Sequence, residues 1–157
     1  MPNWIEGTMK LRGKKENIMR FLDTEIVANS AGGDISDYVE RNIGDGFVEY
    51  EFKNDPYVNG TRRMFVGESY IYMDIEDECV CLDIRQAWSF SPREGNEDLQ
   101  VWADFAKKYN IDIKLFGIEC GAQFTQEVIA IRGERVINNE KQYEDWEWNC
   151  PFPNMGG

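Results

Sequence analysis

The chain has no histidine. That removes the commonest general base and metal ligand, and it excludes every catalytic pair in which an imidazole activates a serine or cysteine. Phosphate-cradling motifs are missing too: neither G-x-x-x-x-G-K-[ST] nor G-x-G-x-x-G occurs. No apolar run approaches the roughly 20 residues of a membrane helix, and Met1 to Arg12 alternates like a strand rather than a leader. A soluble, cytoplasmic protein with no membrane partner and no cofactor is the expectation. Basic side chains are scarce, 17 against 29 acidic ones for a net charge of −12. Direct nucleic-acid binding, which needs a basic face, is thereby disfavoured. Cysteine is limited to Cys79, Cys81, Cys120 and Cys150, spaced C-x-C rather than C-x-x-C. Free, mostly buried thiols in a reducing compartment fit that pattern, with a four-thiol zinc site as the alternative.

What the chain does have is enough apolar material for one core: 42% hydrophobic and 13% aromatic residues in 157. Its best-patterned stretch is 79–124. Val80, Leu82, Ile84 and Trp88 alternate with polar residues, as a half-buried strand does. Pro92 and Gly95 end that strand, and Asn96 is placed to cap a helix. Leu99, Trp102, Ala103, Ala106 and Tyr109 then recur at helical spacing. Glu97 and Asp98 at one end, and Lys107 and Lys108 at the other, suit the helix dipole. Ile111 to Ile118 follows as a strand, with Gly117 and Gly121 bracketing a bend.

Elsewhere, 4–12 reads as a strand and 14–27 as a helix with Ile18, Phe21, Leu22 and Ile26 inward. Asp34 is placed to cap a shorter helix through Ile35, Tyr38, Val39 and Ile43. Residues 47–52 alternate as a strand, and Asn59-Gly60 signals a hairpin between 57–58 and 61–66. The stretch 68–75 reads as a strand that turns through Glu76-Asp77-Glu78 into the Cys79 strand, forming a long hairpin. Residues 125–132 and 135–137 make a further hairpin. The remainder, 138–157, interleaves acids with Tyr143, Trp146 and Trp148.

These elements sum to an α+β, ferredoxin-like βαββαβ antiparallel sheet with two helices on one face, an inserted helix/hairpin segment at 34–66 and an extra C-terminal hairpin. One domain over 1–137 and an acidic aromatic tail over 138–157 are expected. Met1-Pro2-Asn3-Trp4 before a strand and Gly13 resembles the opening of the YubB-type ferredoxin-like domain family of phages, prophages and plasmids. Ala87-Trp88-Ser89-Phe90-Ser91-Pro92 and Glu119-Cys120-Gly121-Ala122-Gln123-Phe124 are similar to that family's Trp-Ser-x-Pro and E-x-G-x-x-F pieces, in the same order. Ile5 and Gly7 stand where the family carries Cys and Asn, and its Trp- and Gly-rich middle segment has no counterpart in 34–66, so the resemblance is to a divergent member. It implies a fold and a mobile-element origin, without a reaction.

Function is therefore read as non-catalytic binding of a host protein, concretely as an acidic, anti-CRISPR-like inhibitor of a host defence nuclease. Asp74, Glu76, Asp77, Glu78, Glu144, Asp145 and Glu147 would stand in for phosphates. Trp146 and Trp148 would anchor, with Tyr143 beside them; equally, the segment is a tail strapped over the sheet with its rings buried. Two alternatives remain: a module for RNA or single-stranded nucleic acid using Arg62 and Arg63, and a carboxylate-based metal hydrolase. Calcium binding by the 74–78 carboxylates lacks the glycine and ligand spacing of a known loop; a solvated turn is the simpler reading.

Overall fold

The computed structural model describes residues 3–27, 39–67, 70–74, 78–91, 99–132 and 134–155. Eleven strands and three short helices form from them. The first strand, β1 (Trp4–Arg12), lies at the centre of an eight-stranded antiparallel sheet. On one side it pairs with β8 (Cys79–Ala87), Trp4 opposite Ala87 and Arg12 opposite Cys79. On the other it pairs with β9 (Asp112–Glu119), which continues to β10 (Phe124–Ile131) and to β11 (Arg135–Gln142) at the edge. Beyond β8 the sheet runs through the short strands β6 (Met64–Val66), β5 (Tyr57–Val58) and β2 (Ile26–Val27). A separate three-stranded sheet joins β3 (Val39–Gly44), β4 (Phe47–Phe52) and β7 (Tyr70–Asp74).

This is not the two-helix ferredoxin-like fold expected from the pattern. The molecule is mostly β, and the second sheet has no place in that scheme. The expected short helix is one source of the error. Asp34, Ile35 and Tyr38 lie outside the described residues, but the rest of that stretch is strand β3. Val39 and Ile43 are four apart, which suits one helix face and equally one strand face, and both are β-branched. The expected hairpin of 68–75 with the Cys79 strand is the other source. Its first strand, β7, pairs with β4, whereas β8 pairs with β1 and β6. The turn residues Glu76 and Asp77, and the capping stretch from Pro92 to Asp98, lie outside the described residues.

Alternation decides which side of each strand faces the core. Ile5, Met9 and Leu11 of β1, Val80, Leu82 and Ile84 of β8, and Val128 and Ala130 of β10 are all buried. Two helices cover this face: α1 (Lys15–Glu25) and α2 (Gln100–Tyr109). Phe21 of α1 meets Phe105 and Tyr109 of α2 edge-on, ring centres 5.6 and 5.5 Å apart. α1 stops where Ile26 turns extended and pairs with Val58. Asn110 ends α2 in the left-handed conformation, with Lys107 and Lys108 in the last turn. A buried carboxylate ties these parts together. Glu25 accepts hydrogen bonds from Lys108 Nζ at 2.8 Å and from the Tyr109 hydroxyl, and its backbone carbonyl accepts from Asn59 N at 2.7 Å. That hydrogen bond to Glu25 holds the Lys108 ammonium above its ordinary range.

The end of β8 departs from simple alternation. Gln86, not an apolar residue, takes the last inward position, and Trp88 has a φ of 66°. The left-handed residue swings the indole outward, leaving it 46% exposed, while Phe90 fills the core in its place. Phe90 fits because Gly117 faces it: a Cβ there would lie 2.5 Å from the ring. The expectation that Trp88 packs inward fails for this reason. Trp102 does pack, fully buried, and donates from Nε1 to the Phe90 carbonyl at 3.2 Å. Phe90 N in turn donates to Gln126 Oε1 at 2.8 Å.

Candidate binding surface

β11 runs to Gln142, five residues past the expected end of that strand at 137. The segment after it folds back on the sheet. Its position is set by the bend between β9 and β10, where the buried Glu119 carboxylate accepts from Gly121 N at 2.8 Å and Ala122 N at 2.6 Å. Gln123 follows with φ 62°, and its carbonyl accepts from Tyr143 N at 3.0 Å. The E-x-G-x-x-F stretch thus builds the shelf on which the C-terminal segment starts.

From there Tyr143, Trp146 and Cys150 pack with Ile118 into a small second core, separate from the main one, with Cys120 against it. Tyr143 and Trp146 meet edge-on at 5.5 Å, and Lys141 Nζ sits 4.5 Å from the centre of the Tyr143 ring. One turn of helix, α3 (Trp146–Asn149), separates the two tryptophans. Trp146 is 5% exposed and donates from Nε1 to the Pro153 carbonyl at 2.9 Å; Trp148 is 84% exposed. In an extended segment they would share a face, but the helical turn puts residues two apart on opposite sides. Glu144, Asp145 and Glu147 surround Trp148 in the chain and are exposed, as is Phe152.

The other expected site residues lie elsewhere. Asp74 ends β7, on the exposed face of the small sheet, opposite Phe47. Glu78, also exposed, precedes Cys79, and its carbonyl accepts from Gly13 N at 2.9 Å. Glu76 and Asp77 lie outside the described residues. Glu78 therefore belongs to the row of Arg12 and Cys79, and Tyr143 lies beyond the row of Glu6, Ile118 and Lys141. By strand geometry these rows stand about 20 Å apart along the strands, and β8 and β11 about 19 Å apart across them. The two acidic groups do not form one patch.

The cysteines also divide. Cys79 and Cys81 are exposed on one face of β8, Cys120 is half-buried and Cys150 buried. The four thiols do not converge, and among the described residues no three His, Cys, Asp or Glu side chains stand together as a metal site. No helix among those residues is long and apolar enough to cross a membrane.

Two further surface features depend on strand pairings that the sequence did not indicate. The exposed face of the small sheet sets Glu49, Glu51 and Asp74 among Phe47, Tyr70 and Tyr72. Tyr70 donates its hydroxyl to Glu49 at 2.5 Å, a bond that pushes the phenol up to about 12. The second lies on the face of the large sheet away from the helices. There Trp4 and Phe65 are 6.1 Å apart, and the Arg85 guanidinium sits 5.7 and 5.6 Å from their ring centres. Cross-strand register explains it: Phe65 lies opposite Arg85, and Trp4 next along the strand opposite Ala87. Arg62, at the end of the β5–β6 turn, lies 5.2 Å from the Trp88 ring centre.

Compared with family models, curated proteins and solved structures, the chain matches none.

Proposed function

We propose that this protein is a non-catalytic binding protein whose C-terminal segment engages a basic protein partner. One observation carries the reading. Trp148 is 84% exposed on a turn that Trp146 and Cys150 anchor in a core of their own. Ordering a large apolar side chain in water gains nothing within the molecule, whereas a rigidly presented indole is the type of group that dominates binding energy at an interface. Glu144, Asp145 and Glu147 around it, together with the net charge of −12, favour a positively charged partner. A groove that normally holds nucleic acid is such a surface. Inhibition of a host defence nuclease, with the chain encoded by a phage or other mobile element, is the concrete form of the proposal.

The test is capture from a lysate of the cognate host, followed by an affinity measurement on the captured protein. Exchanging Glu144, Asp145 and Glu147 for lysine should weaken binding, and so should raising salt. A partner whose affinity is indifferent to both would sink the electrostatic reading.

A second reading, binding of single-stranded nucleic acid, has the Arg62–Trp88 pair in its favour. Stacked guanidinium and indole groups at a sheet end can hold a base. It predicts that labelled RNA shifts at physiological salt and that Arg62→Glu with Arg63→Glu abolishes the shift.

A further inference from the structure

A cavity of about 530 Å³ opens on the face of the large sheet away from the helices. Its size is within the range of ligand pockets. The floor comes from β1, β6 and β8, one wall from the loop after β4, and Met155 of the C-terminal segment lies at its margin. Three carboxylates line it, Glu6, Asp55 and Asp83, against a single cation, Arg85. That cation is already drawn over the rings of Trp4 and Phe65. Among the described residues the carboxylates of Glu6 and Asp55 make no side-chain hydrogen bond or ion pair, although Arg85 stands opposite Glu6 across β1 and β8, so both are open to an incoming donor. Phe65 offers an apolar flank beside them.

We propose that this cavity receives an arginine side chain of the partner. A guanidinium is planar, stacks on aromatic faces and donates in pairs to carboxylates, which is the combination these walls supply. Phe65, with Trp4 beside it outside the lining, already has the Arg85 guanidinium 5.6 Å from its ring centre. A lysine ammonium would use the charge but not the flat walls. The inference rests on the reading of a basic partner and names the group recognised. Met155 belongs to the same segment as Trp148, so a partner seated on that segment meets the mouth of the cavity.

The experiment uses N-acetyl-arginine amide as the probe, titrated into the ¹⁵N-labelled full chain. Saturable amide shifts are expected at Glu6, Asp55, Phe65 and Arg85, with binding several-fold weaker for N-acetyl-lysine amide. Glu6→Gln with Asp55→Asn should weaken the arginine probe at least tenfold while leaving the rest of the spectrum in place. Asparagine is suited to position 55, where φ is 49°. Shifts that do not saturate, that scatter over the surface, or that persist unchanged in the double variant overturn the proposal. Failure of the two readings is separable. If Trp148 still captures a basic partner while the probe finds no site, only the cavity assignment falls. If the probe binds and no basic partner is captured, the cavity stands and the wider reading falls.

Discussion

Trp102 and Trp148 show how differently two regions of this chain use one residue type. In the sheet centre, Trp102 is fully enclosed by α2 and the sheet, its indole N–H given to the Phe90 carbonyl. In the C-terminal segment, Trp146 repeats that arrangement on a small scale, buried and bonded to Pro153, while Trp148 two residues on is left in water. The centre spends its aromatics on packing against a hydrogen-bonded frame. The segment spends one aromatic on holding itself in place and another on display. Burial and the hydrogen bond to Phe90 explain the first use, and the second is the one the proposed partner would take up.

The sharpest way to break the contrast is Trp102→Ala. It should cost about 3–5 kcal/mol of stability, read as a drop in denaturant midpoint, because it opens a large cavity and strips the Phe90 carbonyl of its donor. Trp146→Ala comes next: about 2–4 kcal/mol, confined to the segment, measured as faster amide exchange and proteolysis over 143–155 with the main sheet protected. If both regions melt together, the second core is not independent. Trp148→Ala should change stability by no more than about 0.5 kcal/mol, yet weaken partner binding by about 2 kcal/mol or more, roughly thirtyfold. Equal loss of stability would make Trp148 a packing residue after all.

The smallest effect concerns pH. Glu127 is held below its ordinary value of 4.5, chiefly by the hydrogen bond from Lys114 at 2.6 Å and then by Asn139. A depressed carboxylate contributes stability that is present above its unfolded value and fades as pH falls through the folded one. Glu127→Gln should therefore be less stable at neutral pH by at most about 1 kcal/mol. The two proteins should converge as the medium is acidified below 4.5, which parallel urea titrations would register.

Much of the centre was legible because one rule governed it. β1, β8, α2, β9 and β10 lie close to the bounds their local pattern indicates, and in β8 the alternation of Val80, Leu82 and Ile84 also gives the inward face. The strand–helix–strand of 79–119 places β8 and β9 on either side of β1. In 39–74 the strand 47–52 and the hairpin about Asn59-Gly60 were legible, but the second sheet was not, since pairing partners are chosen by the whole sheet and not by local pattern. Nothing in Tyr70–Asp74 says that it joins β4 and leaves β8 to β1 and β6. Trp88 misled because a single left-handed residue exchanges inside for outside. In the C-terminal segment the aromatics and acids stood out in the sequence. Their division into anchor and display depends on one helical turn, too short to leave a periodic trace. The cavity on the large sheet had no signal, being assembled from five separate parts of the chain.

The two exposed indoles also make the protein its own optical reporter. Trp148 stands among carboxylates, and Trp88 beneath a guanidinium. A cationic quencher such as caesium is drawn to the first and repelled from the second; iodide has the opposite preference. Quenching the native fluorescence with each ion in turn separates the two indoles without any label. A partner that covers Trp148 would abolish the caesium response and leave the iodide response intact.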